Sequence, residues 1–306
     1  HDDCPPGRPD RIAGGPVAEA PQFAVALDRG LLPEAGITPA VTNFASGREG
    51  FEALMGGQVD LALMTEFPAV VGALRSQRFG VVAITSRFGA SRIIARRRPG
   101  LDARVASLAG RRIGVTVGTN THFMVMQELA QAGIQAEIVN VGPADLIPAL
   151  VRGDIEAAAT FPSFYAGARR ALGADHMEMR VTTYQPTFLI AASEAFVTRE
   201  AEVTTRFLGV LLRAEQAMAA DPAAAQASVA RIAGRAQSPE AIREGWGDFD
   251  FRLSLDRPLL ELMLRQGRWL VERGAVRGVD PTEATFAAVI AGGPLRALAA
   301  DRVATA

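Results

Sequence analysis

The side chains best suited to binding an anion form one short run: Gly118, Thr119, Asn120, Thr121 and His122. The run offers a flexible glycine, two hydroxyls, an amide and an imidazole directly before a stretch with helical apolar spacing. Backbone N–H groups at a helix start, together with the helix dipole, favour a negatively charged group there. The same residues would also suit an ordinary helix cap, so the run predicts either an anion contact or a cap.

Two carboxylates, Glu19 and Glu66, are the other groups with the potential for chemistry. Paired carboxylates can perform acid–base catalysis, and a single one can balance an ammonium group. No positioned nucleophile accompanies them, and the three histidines, at positions 1, 122 and 176, are too scattered to suggest a metal site. We therefore expect no catalytic residue, no metal and no cofactor. Either glutamate could be a counter-ion, a solvated side chain or a helix cap.

Composition excludes several further classes of chemistry. All 32 basic residues are arginine, which excludes Schiff-base chemistry, a lysine-anchored pyridoxal phosphate and a GxxxxGK[ST] phosphate loop. The formal net charge of −1 gives no reason to expect a nucleic acid as partner. No long apolar run is present, so we expect no direct membrane insertion. The single cysteine, Cys4, excludes an internal disulfide, and it is either a free thiol or a lipid-attachment site.

The elements that would position the candidate residues occur twice, about a hundred positions apart. Ala35-Gly36-Ile37 returns as Ala132-Gly133-Ile134, and the run from residue 53 to 62 returns from residue 149 to 158. Two copies are too few for a solenoid. They predict two lobes of like α/β topology with a crevice between them, which is the kind of place where small molecules bind.

Short apolar runs alternate with helical patterns from Arg11 to Ser193. Runs without alternation suit parallel strands that are covered on both faces, so each lobe should contain a doubly wound, mostly parallel sheet. Two extended apolar stretches, Ser91–Arg97 and Thr187–Ser193, are predicted to join the lobes, with ordinary edge strands inside one lobe as the alternative. Beyond Ser193 the pattern indicates helices alone, which we expect to pack on the first lobe.

These patterns predict three parts of the chain. Residues 1–10 form a disordered N-terminal tail. Residues 11–90 and 190–306 form lobe 1 with the C-terminal helices, and residues 91–189 form lobe 2.

Ligands meet an open parallel sheet at the loops that follow the carboxyl ends of its strands. That rule selects five segments: Gly15–Pro21, Ala45–Arg48, Thr65–Pro68, Gly118–His122 and Thr160–Phe164. Phe67 and Phe161, together with Tyr184, are the aromatic side chains that could hold an apolar or cationic part of a ligand. Arg48 could reach an anion, although the commoner fate of such an arginine is a solvated surface position.

Several short motifs also follow one another in a specific order: Leu31–Ile37, Ser46-Gly47, Gly57–Asp60, Gly118-Thr119 at a helix start, Gly153–Ala158 and Arg268–Gly274. Together they extend over about residues 11–295. No single motif is specific, but the ordered set resembles the nitrate/sulfonate/taurine-type solute-binding proteins of ABC importers.

This resemblance implies a type II periplasmic-binding-protein-like fold, in which two lobes joined by two strands close on one small ligand. It implies an exported, periplasmic protein whose partner is the membrane permease of an ABC importer, and we expect a monomer. It assigns ligand contacts to Val17, Ala18, Glu19, Ser46, Thr65, Glu66, Phe67, Thr119, Asn120, Thr121, His122, Phe161 and Ser163. Because Thr65-Glu66-Phe67 and Thr160–Phe164 depart from the usual family segments, sulfonates, carboxylates, amino compounds and small heterocycles all stay open as ligands.

Two other functions also stay open. Relatives of the family include dehydratases, which need only placed polar side chains, and pyrimidine-precursor synthases, which call for a lysine-bound cofactor and a cysteine cluster. A sensory ligand-binding domain is the third reading, and the absence of a DNA-binding helix pair or output domain in this sequence weakens it. The leading prediction is a solute-binding protein without enzymatic activity, for a small polar or anionic organic ligand.

Overall fold

The computed structural model describes residues 9–14 and 19–305. Most of the predicted tail, with Cys4, and the predicted contacts Val17 and Ala18 lie outside the described residues. The chain separates into two compact units. The first comprises the chain up to Arg87 together with the chain from Thr187 onward, and the second comprises Phe88–Pro186.

The elements of the described chain are short strands and helices in alternation, followed by a mostly helical part. The strands are β1 (Asp10–Gly14), β2 (Pro39–Asn43), β3 (Leu61–Thr65), β4 (Phe79–Phe88), β5 (Arg92–Arg96), β6 (Arg112–Val115), β7 (Glu137–Asn140), β8 (Ala157–Ala158), β9 (His176–Arg180), β10 (Thr187–Ser193), β11 (Phe249–Asp256) and β12 (Val303–Ala304). The α-helices are α1 (Pro21–Asp28), α2 (Leu31–Glu34), α3 (Gly47–Met55), α4 (Glu66–Leu74), α5 (Asn120–Ala132), α6 (Leu146–Arg152), α7 (Tyr165–Leu172), α8 (Glu194–Val197), α9 (Ala201–Ala220), α10 (Pro222–Ala233), α11 (Pro239–Gly245), α12 (Arg257–Glu272), α13 (Glu283–Ala287) and α14 (Gly293–Leu298). Within the described ranges, no helix has both the length and the apolar character needed to cross a bilayer.

The first unit contains a seven-stranded mixed sheet in the order β12-β11-β4-β10-β3-β1-β2. Strand β1 lies parallel to both β2 and β3, so that Ile12 pairs with Val41 on one side and with Leu61 on the other. Strand β10 runs antiparallel to its neighbours β3 and β4. Ile12, Leu61, Val82 and Ile190 are all buried, as expected for central strands with helices on both faces.

The helices of the first unit begin where the sequence provides caps. Helix α3 follows Ser46, whose Oγ accepts a hydrogen bond from the Glu49 N–H at 3.4 Å, and Glu49 Oε2 accepts one from the Ala45 N–H at 3.2 Å. The side chains of Ser46 and Glu49 thus satisfy two backbone N–H groups at the start of α3. Helices α9 and α10 pack against α1, and α12 packs against α4. The C-terminal helices therefore cover the first unit, as predicted.

The prediction of helices alone after Ser193 is wrong for two segments, because β11 and the short β12 are strands of the first sheet. The sequence of β11, Phe-Asp-Phe-Arg-Leu-Ser-Leu-Asp, alternates apolar and polar residues with the period of a strand. Leu253 and Leu255 are completely buried on its apolar side. A period-two signal was thus present, although it stands between segments with helical spacing.

The second unit contains a five-stranded sheet in the order β7-β6-β8-β5-β9. Strand β6 lies parallel to β7 and β8, whereas β5 is antiparallel to β8 and β9. Helices α5, α6 and α7 belong to this unit, and Ile113, Phe123 and Leu150 are among its buried apolar residues.

The internal repeat appears as the same local topology in both units. In the first, β1 lies between β2 and β3; in the second, β6 lies between β7 and β8. Gly36 and Gly133, which occupy equivalent positions in the two copies, have positive φ values of 76° and 67°. That backbone conformation strongly favours glycine, which explains why the Ala-Gly-Ile motif is present in both copies.

The chain crosses between the two units twice, at Arg87–Phe88 near the end of β4 and at Pro186–Thr187 at the start of β10. Strands β4 and β10 pair antiparallel, with Arg87 opposite Thr187, and the Phe88 N–H donates to the Pro186 carbonyl at 3.0 Å. The prediction that Ser91–Arg97 joins the lobes is wrong, because β5 lies inside the second sheet, between β8 and β9. An apolar strand buried within a sheet and an apolar connecting strand have the same sequence signature, so the pattern did not separate them.

Candidate functional site

Each unit brings its predicted site segments to one edge of its own sheet. In the first unit, parallel strands β1, β2 and β3 end beside one another, so the loops that carry Ser46 and Thr65 follow the same edge. In the second unit, β6 and β8 are parallel, with Gly114 opposite Ala158. The loops that lead to Thr119 and Phe161 therefore leave the second sheet at a common edge, as ligand-binding loops of open sheets do.

The start of α5 is a buried turn held together by hydroxyl groups. Gly118 has a φ of 83°, and the Thr119 Oγ1 donates to the Thr116 carbonyl at 2.6 Å. Thr119 Oγ1 and Thr121 Oγ1 lie 2.9 Å apart. Because the Thr119 proton is directed to Thr116, Thr121 is the donor in that second contact. Both hydroxyl protons are therefore used within the turn.

Helix α5 has no side-chain cap. Thr119 is its N-cap residue, yet its side chain accepts no hydrogen bond from the helix, whereas Ser46, Asp221, Ser238 and Asp256 cap α3, α10, α11 and α12. Asn120 and Thr121 are buried, and their backbone N–H groups have no acceptor among the described residues. Uncapped N–H groups at a buried helix start need an acceptor from elsewhere, and an anion is well suited to supply it.

The remaining predicted residues of the second unit divide into buried and partly exposed groups. His122 lies buried in the first turn of α5, and its backbone N–H donates to the Thr119 carbonyl at 3.2 Å. Tyr184 is buried edge-on against Phe123, with 5.6 Å between ring centroids. Phe161 and Ser163 are only partly buried, at the short turn that leads into α7. Tyr184 thus packs behind α5, while Phe161 and Ser163 keep accessible surface.

The segment that carries Tyr184 is fixed to α5 by a buried carboxylate. Glu128 Oε1 accepts hydrogen bonds from the N–H groups of Thr182 and Thr183, at 2.7 Å and 3.1 Å, and from the Thr183 hydroxyl at 2.9 Å. This arrangement explains why an aromatic residue far along the chain packs beside the start of α5.

In the first unit, Ser46 and Arg48 already have structural roles. The Ser46 hydroxyl accepts the capping hydrogen bond of α3. Arg48 is exposed, and its Nε lies 3.8 Å from a Glu52 carboxylate oxygen on the same helix. Arg48 therefore lies on the solvent face of α3, the alternative fate that the sequence already indicated for it.

Thr65, Glu66 and Phe67 mark the transition from β3 to α4. Thr65 is half-buried and makes no side-chain cap. Glu66 is completely buried, and its Oε1 accepts a hydrogen bond from the Thr187 N–H at 3.3 Å. Phe67 is buried against Trp269, with 6.2 Å between ring centroids. Glu66 is thus anchored to the start of β10, and the ring of Phe67 belongs to the core of the first unit.

Glu19 is held beside β4 by its backbone. Its carbonyl oxygen accepts hydrogen bonds from the Thr85 and Ser86 hydroxyls, at 3.3 Å and 2.7 Å. Burial raises the pKa of the Glu19 carboxyl to about 8, because the charged form loses hydration. At neutral pH the carboxyl is therefore mostly protonated, and in that form it can donate a hydrogen bond.

The first unit also contains a buried polar network that the sequence patterns did not predict. Gln22 is completely buried, and its amide nitrogen donates to the Thr85 carbonyl at 2.8 Å and to Glu215 Oε1 at 3.3 Å. Glu215 also accepts from the Leu253 N–H and from Arg302, at 2.7 Å and 2.6 Å. The available signal was the pair of hydroxyls, Thr85 and Ser86, near the end of an otherwise apolar run.

Among the described residues, no group of three or more His, Cys, Asp or Glu side chains is arranged so that it could hold a metal ion.

The fold has clear counterparts among solved structures. The periplasmic aliphatic sulphonate-binding protein SsuA of Escherichia coli aligns with a TM-score of 0.76 over 93% of this chain and 92% of that chain, at 16% identity. The desulfurization enzyme DszB aligns with a TM-score of 0.68 over 95% of this chain and 98% of that one, at 15% identity. These similarities confirm the predicted type II periplasmic-binding-protein-like fold, with one mixed α/β sheet in each unit.

Sequence similarity agrees with the fold. A taurine-binding periplasmic protein of Escherichia coli (strain K12) is 30% identical over 141 residues, which are 45% of this chain and 43% of that protein. The match thus spans less than half the length of this relative. The family model described as NMT1/THI5-like matches residues 19–225, about two thirds of the chain. The resemblance to sulfonate- and taurine-type binding proteins is confirmed, and the chain belongs to the NMT1/THI5-like family.

Proposed function

We propose that this protein is the solute-binding component of an ABC importer and that it captures a small organic anion of the sulfonate or taurine type. The observation that carries the proposal is the uncapped, buried start of α5. An anionic oxygen of a ligand would accept from the Asn120 and Thr121 N–H groups, and the helix dipole would favour its charge. Family membership and the taurine-binding relative support this class of ligand.

The backbone, more than the hydroxyls, supplies the donors in this proposal. The protons of Thr119 and Thr121 are used inside the turn, where they hold the N–H groups in position. Such preorganised donors lose little freedom when a ligand arrives, which favours binding. A hydrogen bond to a charged group contributes about 1.5–3 kcal/mol, so two of them account for a substantial part of a micromolar affinity.

In the first unit we assign Glu19 to a second polar group of the ligand. The protonated carboxyl would donate a hydrogen bond to a neutral or anionic oxygen. An ammonium group would instead stabilise the ionised carboxylate and lower the pKa of Glu19. A zwitterionic ligand such as taurine would therefore use the positive group at Glu19 and the negative group at α5.

The other predicted residues divide into contacts and supports. Thr65, Phe161 and Ser163 keep accessible surface at the carboxyl edges of their own sheets, so we propose them as direct contacts. Ser46, Phe67 and Tyr184 are engaged in capping or packing, and we propose that they support the loops that bind.

Binding would be coupled to transport through closure of the two units around the ligand. A ligand that contacts both units binds the closed arrangement better and so increases its population. The adjacent crossings at Arg87–Phe88 and Pro186–Thr187 support a hinge, since two neighbouring connections permit rotation with few broken contacts. The permease in the membrane would recognise the closed form of this periplasmic protein, which acts as a monomer without a cofactor.

An enzyme on the same scaffold is the second candidate, and the observation that favours it is the similarity of the fold to DszB. A protonated Glu19 could act as a general acid in such an enzyme. Catalysis and transport differ in what happens to the ligand, because an enzyme returns a changed molecule and a binding protein returns the same one.

Calorimetry combined with mass spectrometry tests the proposal. The purified protein is titrated with taurine, ethanesulfonate, nitrate and acetate in a calorimeter. After prolonged incubation, the masses of the recovered ligands are measured by mass spectrometry. We expect one ligand per chain, a rise in the unfolding temperature that follows mass action, and unchanged ligand masses. A product of altered mass would favour the enzyme, and failure to bind any of the four compounds would contradict the proposed ligand class.

A further inference from the structure

The hydroxyl of Thr160, in the second unit, lacks a hydrogen-bond partner among the described residues. Thr160 is 1% exposed, and its Oγ1 makes no hydrogen bond to any described residue. Buried hydroxyls in proteins almost always have a partner, and one left without it loses the free energy of its lost hydration. An unpartnered hydroxyl of this kind therefore indicates that its partner comes from outside the chain.

Thr160 lies at the same edge of the second sheet as the start of α5. Ala158 of β8 pairs with Gly114 of β6, and the Ala159 N–H donates to the Gly114 carbonyl at 3.0 Å. Thr160 lies two residues beyond the end of β8 and Thr116 directly follows β6, so both leave the sheet at the same edge. The Thr116 carbonyl is the group that accepts the Thr119 hydroxyl and so shapes the turn before α5.

Thr160 differs from the neighbouring threonines in whether its hydroxyl proton has an acceptor. Thr119 and Thr121 direct their protons within the turn, whereas the Thr160 proton has no such acceptor among the described residues. Thr160 is therefore a fully buried hydroxyl at this edge whose proton remains available for a ligand.

We infer that Thr160 is a specificity-determining residue, whose hydroxyl donates a hydrogen bond to the anionic group that also accepts from the start of α5. This inference rests on the proposed function and adds a side-chain donor to its backbone donors. A ligand that brings an oxygen to both β8 and α5 satisfies the Thr160 hydroxyl. A ligand that lacks such an oxygen leaves it unpaired and binds more weakly.

The test uses the opposite effects of one substitution on stability and on affinity. Thr160→Val keeps the shape of the side chain and removes an unpaired hydroxyl, so the unfolding temperature of the ligand-free protein should stay unchanged or rise. The affinity for taurine and ethanesulfonate, measured by calorimetry, should fall about tenfold or more. Thr160→Ser keeps the hydroxyl, so its affinity should stay within about threefold of the parent protein even if its unfolding temperature falls.

Thr204 provides the matched control. It is as deeply buried as Thr160, but its hydroxyl already donates to the Phe196 carbonyl in the first unit. Thr204→Val should therefore lower the unfolding temperature and leave the affinity unchanged.

The possible outcomes separate this inference from the proposed function. If the parent protein binds ethanesulfonate and Thr160→Val binds it equally well, Thr160 is not a ligand donor and only this inference is overturned. If Thr160→Val loses stability as Thr204→Val does, the hydroxyl has a structural partner, and the inference is overturned as well. If the parent protein binds neither taurine nor ethanesulfonate, the proposed ligand class and this inference are both overturned.

Discussion

The buried carboxylate of Glu66 accepts a hydrogen bond from the backbone N–H of Thr187 across 3.3 Å. Glu66 is the first residue of α4, directly after β3, and Thr187 is the residue with which the chain re-enters the first unit. One side chain therefore ties a predicted ligand-binding loop to the connection between the units.

Removal of the Glu66 carboxylate should destabilise the protein. Glu66→Ala leaves the Thr187 N–H without this acceptor in a buried position, at a loss of about 1–3 kcal/mol in the free energy of unfolding. Glu66→Gln keeps an acceptor oxygen and should lose less. Urea unfolding of both variants provides the measurement, with Glu272→Ala at an exposed position of α12 as control. Equal stability of Glu66→Ala and the parent protein would show that the contact contributes nothing.

The raised pKa of Glu19 predicts a pH dependence of stability. The carboxyl titrates near 4.5 in the unfolded chain and at about 8 in the folded protein, so the folded state holds more protons between these values. The contribution of Glu19 to stability is therefore fully present below about pH 4.5 and is lost as the pH rises through 8. Glu19→Gln removes this titration.

Unfolding free energies at pH 5 and pH 8.5 test this linkage. The difference between Glu19→Gln and the parent protein should change with pH, and the parent should lose stability relative to the variant at the higher pH. A difference that stays constant between the two values would mean that the Glu19 carboxyl keeps an ordinary pKa in the folded state.

Gln266 should be replaceable by an apolar side chain with a gain in stability. It is completely buried on α12, and neither its amide nitrogen nor its amide oxygen has a partner among the described residues. Gln266→Met should raise the free energy of unfolding by about 1 kcal/mol or more. Gln22 is equally buried but donates to Thr85 and Glu215, so Gln22→Met should lower it. Thermal unfolding of both variants measures the contrast, and a loss of stability in Gln266→Met would reveal a partner for its amide.

Gly47 allows α3 to start close to β3. A Cβ atom at this position would lie 2.9 Å from Met64 Cβ and 3.3 Å from Met64 Cα. Gly47→Ala should therefore destabilise the protein by about 1–3 kcal/mol through overpacking, and it should displace the Ser46 cap. At Gly245, an added Cβ meets no atom within 4 Å, so Gly245→Ala is the matched control. Equal stability of the two variants in chemical unfolding would contradict the claim that Gly47 is needed for the close contact between α3 and β3.

Much of the fold was predictable because periodic apolar patterns and repeated glycines have local causes. The positive φ of Gly36 and Gly133 follows from the turn itself, so the repeat was readable without knowledge of the rest of the chain. Strand β5 was assigned to the connection instead of the second sheet, because the sequence pattern of an apolar strand does not specify which neighbours it will pair with.

The positions of the candidate loops at the sheet edges were predictable, whereas the contacts inside them were not. The rule of the carboxyl edge selected the start of α5, yet nothing in the sequence indicates that the Thr119 and Thr121 protons are used inside the turn. The role of Glu66 depends on Thr187, a residue more than a hundred positions away, and the burial of Phe67 depends on Trp269. Contacts between residues so distant in sequence are determined by tertiary packing.

Comparison of Asn120→Pro with Asn120→Ala tests the central claim most directly. Asn120 is the first residue of α5, where proline is well tolerated, and Thr119 has the extended conformation that precedes a proline, with φ −117° and ψ 169°. Both substitutions remove the amide side chain, and only proline also removes the backbone N–H. In calorimetric titrations with ethanesulfonate, we predict binding at least about tenfold weaker for Asn120→Pro than for Asn120→Ala. Equal affinities of the two folded variants would contradict the claim that this backbone N–H holds the anion.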